Sequence, residues 1–206
     1  ERSRGLGDGY KRQVAARLTA SRPHAGVARQ WFRSPDILAL LPFNDPTPGA
    51  SYGLVWSVPE ARAQELVALS AEAFLAELHA AIEASAPGAL AEVGDLSLSA
   101  EVASWPLAIA QAQPWVGQGW ALLGDAAHQV HPLAGQGLNL GLADVDALTQ
   151  VLRDGRDHEP WRPIGDEKLL RRYARTRWAP TQAMGQVTDG LLHLFASQNS
   201  QLRDLR

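Results

Sequence analysis

A chain of 206 residues, 46% hydrophobic and 20% charged, has the make-up of an ordinary globular protein that can bury one large core or two small ones. Its formal net charge of −3 gives no basis for nucleic-acid binding, and the absence of cysteine excludes a disulfide framework, a thiolate nucleophile and a Cys-ligated metal. No run approaches the roughly 18 consecutive apolar residues of a membrane span, and no signal peptide is visible. The chain starts at Glu1 and its single methionine is Met184, so the sequence is expected to be a piece of a longer protein.

Residues 10–19 mix apolar and basic positions, which predicts a solvent-facing strand. Residues 37–43 form an apolar run between Pro35 and the turn-rich segment 44–51. Beyond that turn Tyr52, Leu54, Trp56 and Val58 alternate with Gly53, Val55 and Ser57, a period-two strand that pairs with the first run as an antiparallel hairpin. From Pro59 to about Ala84 the period changes: Leu66, Leu69, Phe74, Leu78 and Ile82 share one helical face, and Pro87-Gly88 ends the helix. Leu96, Leu98, Ala100 and Val102 again alternate with small or polar residues. Trp105, Leu107 and Ile109 continue the pattern past Pro106, which marks an edge or bulge.

The most informative stretch is 124–148, GDAAHQVHPLAGQGLNLGLADVDAL. The apolar run Trp120–Leu123 reads as a buried strand ending at Gly124-Asp125. A glycine-bearing loop follows, then a helix over 137–153 with apolar positions Leu138, Leu142, Val145, Leu148 and Leu152. This order sets one carboxylate and a helix amino terminus beside the same pocket, suited to a ligand with hydroxyls and an anion-forming end. A linker at 154–166 leads to a second helix from near Asp166, bent or restarted at Pro180.

The 124–148 segment resembles the second flavin-binding motif of the aromatic-ring flavoprotein monooxygenases, the group typified by para-hydroxybenzoate hydroxylase, and within it the ubiquinone-biosynthesis hydroxylases. Weaker similarity runs through PHAGVARQWF, ILALLPF and RRYARTRW…MGQVTDGLLHLF. The resemblance implies an α+β fold: a substrate domain over 1–115 built on an antiparallel sheet with a flanking helix, then a strand–loop–helix FAD-binding segment and C-terminal helices over 116–206. It implies that Gly124 and Asp125 hold the ribityl chain of FAD, that Pro132 shapes the loop, and that Gly135, Gln136, Gly137, Leu138 and Asn139 lie along the isoalloxazine edge. Glycines let backbone approach a flat ring where a side chain would collide. The strand 37–43 would lie over the flavin, which makes Leu40, Leu41 and Pro42, with Trp56, the candidate substrate contacts.

The activity so implied is FAD-dependent, NAD(P)H-driven hydroxylation of a phenolic ring, a ubiquinone precursor, in the cytoplasm or at the periphery of the inner membrane, alone or in a biosynthetic complex. The family opens with a strand–GxGxxG–helix unit for the ADP half of FAD. This chain has none, since Leu140 stands where the third glycine would follow Gly135 and Gly137, and the isolated chain is expected to bind FAD weakly or not at all. Two other readings stay open: a soluble phenol or polyketide hydroxylase, and a non-catalytic binding module without the cofactor domain.

Other features carry plainer readings. Asp125, His128 and His131 have metal-ligand spacing, but Pro132 and the glycine loop break the helix that would converge them, so no metal site is expected. His128 reads as a satisfied loop histidine beside the flavin, His131 as structural, and Asp144 and Asp146 as helix-surface charges, although Asp144 matches a position of the family that the segment resembles. Lys168, Arg171, Arg172, Arg175 and Arg177 read as a solvated face opposite Leu169, Leu170 and Tyr173, the alternative being an anionic membrane surface or partner. No cysteine or Gly-x-Ser-x-Gly serine supports hydrolase chemistry.

Overall fold

The structure, a computed structural model, describes residues 11–33, 35–108, 110–130 and 136–196. They divide into two compact units whose boundary falls between Leu107 and Ala108.

The first unit is an antiparallel sheet covered on one face by helices. Its strands are β1 (Lys11–Ala20), β2 (Arg29–Arg33), β3 (Asp36–Phe43), β4 (Ser51–Pro59), β5 (Leu96–Leu98) and β6 (Ala103–Pro106). They run in the order β2-β3-β4-β1-β5, with β6 also on β1. The expected hairpin is β3 and β4, with Leu40 opposite Leu54 and Leu41 opposite Gly53. β1 is not the solvent-facing strand its basic residues suggest. It pairs with β4 along nine residues and buries Val14, Ala16, Leu18 and Ala20, with Arg12 on the same side reaching Glu60 at the start of the first helix, while Arg17 on the other face pairs with Asp45. In a strand of period two, charge on one face says nothing of the other.

The core lies between this face and α1 (Glu60–Ala68), α2 (Ala71–Ser85) and α3 (Ala89–Val93). Trp56 meets Phe74 edge-on with ring centroids 6.4 Å apart, and Leu66, Leu78 and Ile82 fill the space around them. The single helix expected over 59–84 is two. Leu69 takes an extended conformation, and Ser70 restarts the chain as N-cap of α2, its Oγ accepting from the Ala73 N–H at 3.2 Å. Leu69 is exposed as a result. The alternation at 96–109 resolves into β5 and β6 separated by a bend, with Trp105 exposed on the edge strand; Ile109 lies outside the described residues.

The second unit is mostly helical. Short strands β7 (Ala110–Gln111), β8 (Val116–Gly117), β9 (Trp120–Ala121) and β10 (His128–Gln129) lead into α4 (Gln136–His158) and α5 (Glu167–Ala196). The run at 120–123 is therefore not a buried strand: β9 is two residues long, pairs only with β8, and leaves Trp120 44% exposed. α5 continues through Pro180 without restarting. Asp166 starts α5, its Oδ1 accepting from the backbone N–H of Lys168 and Leu169. α4 and α5 touch at Gly155, where a Cβ would stand 2.8 Å from the methyls of Leu169.

The break between α1 and α2 depends on one hydroxyl. Ser70→Ala is expected to lower stability by about 1 kcal/mol and Ser70→Gly by only a few tenths, read from urea denaturation midpoints.

Candidate functional site

The site is built where the β9 strand turns into α4. Gly124 takes φ +54° and opens a single 3-10 turn, Gly124–Ala126, that swings the chain toward α4. Gly141 of α4 lies against this turn: a Cβ at 141 would stand 3.5 Å from the Gly124 Cα, an ordinary van der Waals contact. Glycine is favoured at 124 by the positive φ.

Across this gap one carboxylate holds the corner together. Asp144, 0% exposed, accepts from the Gly124 N–H at 2.9 Å and from His128 Nε2 at 2.6 Å through Oδ2, and from Arg177 Nε at 2.7 Å through Oδ1. Arg177 also donates from Nη2 to the Leu140 carbonyl at 3.3 Å. One turn earlier on α5, the Tyr173 hydroxyl donates to the Leu122 carbonyl at 2.9 Å. Burial, reinforced by the Asp144 carboxylate, raises the Tyr173 phenol far above its ordinary value, so it stays a proton donor. Trp115 lies over His128, centroids 5.3 Å apart, and against Tyr173 and Trp178.

Asp144 is thus not a surface charge, and Arg177 does not belong to a solvated basic face. Lys168, Arg171 and Arg175 do face solvent, Arg171 pairing with Glu167 on its own helix, and Arg172 pairs with Glu159. The helical face expected from the sequence divides: Leu148 and Leu152 pack against the core of this unit, whereas Leu138 is 74% exposed, Leu142 and Val145 are exposed too, and the buried residues of the helix are Leu140, Asp144 and Gly155. A signal was present, since an acid at i+4 from Leu140 and an arginine at i+4 from Tyr173 both interrupt apolar stripes. His128 is buried rather than a loop residue, and among the described residues its Nδ1 has no partner.

The residues expected to meet a cofactor gather at this corner. Asp125 extends the turn into solvent, and a Cβ at Gly137 would lie 3.9 Å from its Oδ1. Gln136, Gly137, Leu138 and Asn139 form the first turn of α4, which carries no acidic side chain, and Asn139 Nδ2 donates to Gln136 Oε1 at 3.3 Å. Pro132 and Gly135, with His131, lie outside the described residues. No cluster of three or more metal-ligating side chains occurs among the described residues.

The expected substrate contacts divide. Leu40 and Trp56, 0% and 1% exposed, belong to the core under the helices, which removes them as ligand contacts. Pro42 shares their side of β3 by alternation, whereas Leu41 is on the opposite, open face with Phe43, whose ring carries the Arg17 guanidinium 5.1 Å from its centroid. A cavity of about 10 Å³ beside Trp56, Asp36 and Arg33 has room for about one water and none for an aromatic ring.

The chain belongs to the FAD binding domain family, which matches residues 13–188. It is 38% identical over 154 residues to the 3-demethoxyubiquinol 3-hydroxylase of Escherichia coli, covering 74% of this chain and 37% of that protein. It is 36% identical to the ubiquinone hydroxylase UbiL of Rhodospirillum rubrum, covering 90% of this chain and 41% of that one. The human ubiquinone biosynthesis monooxygenase COQ6 is 31% identical, with 87% and 43% covered. The chain therefore spans about two fifths of the length of these curated relatives. PqsL, a probable FAD-dependent monooxygenase of Pseudomonas aeruginosa, superposes with a TM-score of 0.72 at 22% identity over 96% of this chain and 51% of that one, which establishes the fold.

Removing one member of the buried pair strands the other. Asp144→Ala is expected to cost about 3–5 kcal/mol, and Tyr173→Phe, which leaves the Leu122 carbonyl unpaired, about 1–3 kcal/mol, both measured by denaturant unfolding.

Proposed function

We propose that this chain is the substrate-binding and C-terminal portion of an FAD-dependent, NAD(P)H-driven monooxygenase that hydroxylates a phenolic ring, a ubiquinone precursor. The observation that carries the reading is the corner itself: an exposed carboxylate at Asp125 stands beside the first turn of α4, which carries no acidic side chain. That donor set suits the ribityl and isoalloxazine half of FAD. Asp125 accepts from a ribityl hydroxyl, and the backbone of 135–139, with Gln136, Gly137, Leu138 and Asn139 at the helix start, faces the ring. A helix amino terminus stabilises nearby negative charge by about 0.3–2 kcal/mol, so it favours the anionic form of a reduced flavin.

When bound, FAD supplies the redox chemistry that activates oxygen; the chain supplies orientation, dryness and charge. In this reading the residues of 1–115 serve the substrate and those of 116–206 the flavin. The open face of the sheet, with Leu41 as its first-choice contact, takes the aromatic ring. The names of the relatives support a ubiquinone precursor as substrate. No helix among the described residues is long and apolar enough to cross a membrane, so a peripheral position at the inner membrane rests on surface contact or on a biosynthetic complex.

In the protein expressed from its complete reading frame, Asp125→Ala removes a charge-assisted hydrogen bond and is expected to weaken FAD retention about 10- to 100-fold, seen as flavin absorbance per protein after purification. Unchanged occupancy would sink the assignment. The isolated 206-residue chain, which carries no GxGxxG unit, is expected to bind FAD weakly; a tight flavin spectrum would overturn that expectation.

A further inference from the structure

We propose that Asp144, backed by Arg177, is a positioning residue that aims the Asp125 carboxylate at the flavin. The inference rests on the flavin reading above and adds residues that do not touch the cofactor. Oδ2 of Asp144 is shared between the Gly124 N–H, at the head of the 3-10 turn, and His128 Nε2, just beyond its end. Both ends of the turn are thereby tied to a single atom on α4, and Asp125 lies between them, one residue from Gly124. Its side chain is exposed beside Gly137 of α4, and its position follows the peptide that Asp144 holds.

Arg177 fixes Asp144 in turn. Its Nε occupies the other carboxylate oxygen, which prevents rotation that would release Gly124, and its Nη2 reaches the Leu140 carbonyl on the same helix. The side chains facing Asp144 are thus the Arg177 guanidinium from α5 and the His128 imidazole from β10, with the Tyr173 hydroxyl alongside. A purely structural pair would hold α4 to α5 and leave the turn alone. The bonds from Asp144 to Gly124 and His128 go instead to the flavin-facing segment. Ligand contacts tolerate displacement of only about 0.5 Å before affinity and chemistry suffer.

The test separates aim from stability. Asp144→Asn alone places an amide donor against the Arg177 guanidinium and destabilises the fold. Asp144→Asn combined with Arg177→Met removes the stranded cation and is expected to recover the parent unfolding temperature. In the protein from the complete reading frame, this double variant is expected to bind FAD about tenfold more weakly and to show an altered visible circular dichroism of the bound flavin. In the 206-residue chain without flavin, the Gly124 amide is expected to exchange with deuterium faster in the double variant than in the parent.

A double variant that matches the parent in unfolding temperature, FAD affinity and flavin spectrum overturns the inference. Should the double variant not fold, Arg177→Lys decides: a several-fold weaker FAD affinity supports the inference, and parent affinity refutes it. Loss of affinity in Asp125→Ala with none in the Asp144 double variant removes this inference and leaves the flavin assignment standing. A parent that takes up no FAD removes both.

Discussion

The second unit depends on one buried carboxylate satisfied from three directions. Asp144 brings a turn, a short strand and two long helices to a common point. Burying a charge is costly unless it is paired and hydrogen-bonded, and here one guanidinium balances it while a backbone amide and an imidazole complete its shell. Such a pair adds little net stability over apolar packing. Its yield is uniqueness, since few arrangements of α4, α5 and the 124–128 segment can satisfy all four groups at once.

The same demand explains the open side of the unit. α4 must turn Asp144, Gly141 and Gly155 inward to meet Arg177, Gly124 and Leu169. That rotation leaves Leu138, Leu142 and Val145 facing out, although hydrophobicity alone would have buried them. The first unit carries no such constraint. There a conventional apolar layer of Val14, Leu18, Leu54, Trp56, Phe74 and Leu78 joins sheet to helices, and Leu41 and Phe43 on the opposite sheet face are exposed.

Most of the fold was legible in the sequence because its periods are clean. The β3–β4 hairpin follows from two apolar runs and a turn, and the helices of both units follow from their stripes. What escaped was decided by long-range pairing. β1 looked polar because its outward residues are basic, and only its pairing with β4 shows the buried half. The break at Leu69–Ser70 was hidden because apolar spacing runs straight across it, though the Ser70 cap was there to be read. In the site, the glycine-and-acid corner was visible from 124–139 alone. The roles of Asp144 and Arg177 were not, because nothing local says that two charges 33 residues apart in sequence will meet.

Gly155 shows how far that meeting reaches. It lies on α4 about three turns beyond Asp144, and its neighbour Leu169 lies on α5 about two turns before Arg177. The Leu169 methyls sit where a side chain at 155 would stand, so the contact between α4 and α5 there is leucine against backbone, and a larger residue at 155 has to displace that leucine before the charge pair is disturbed.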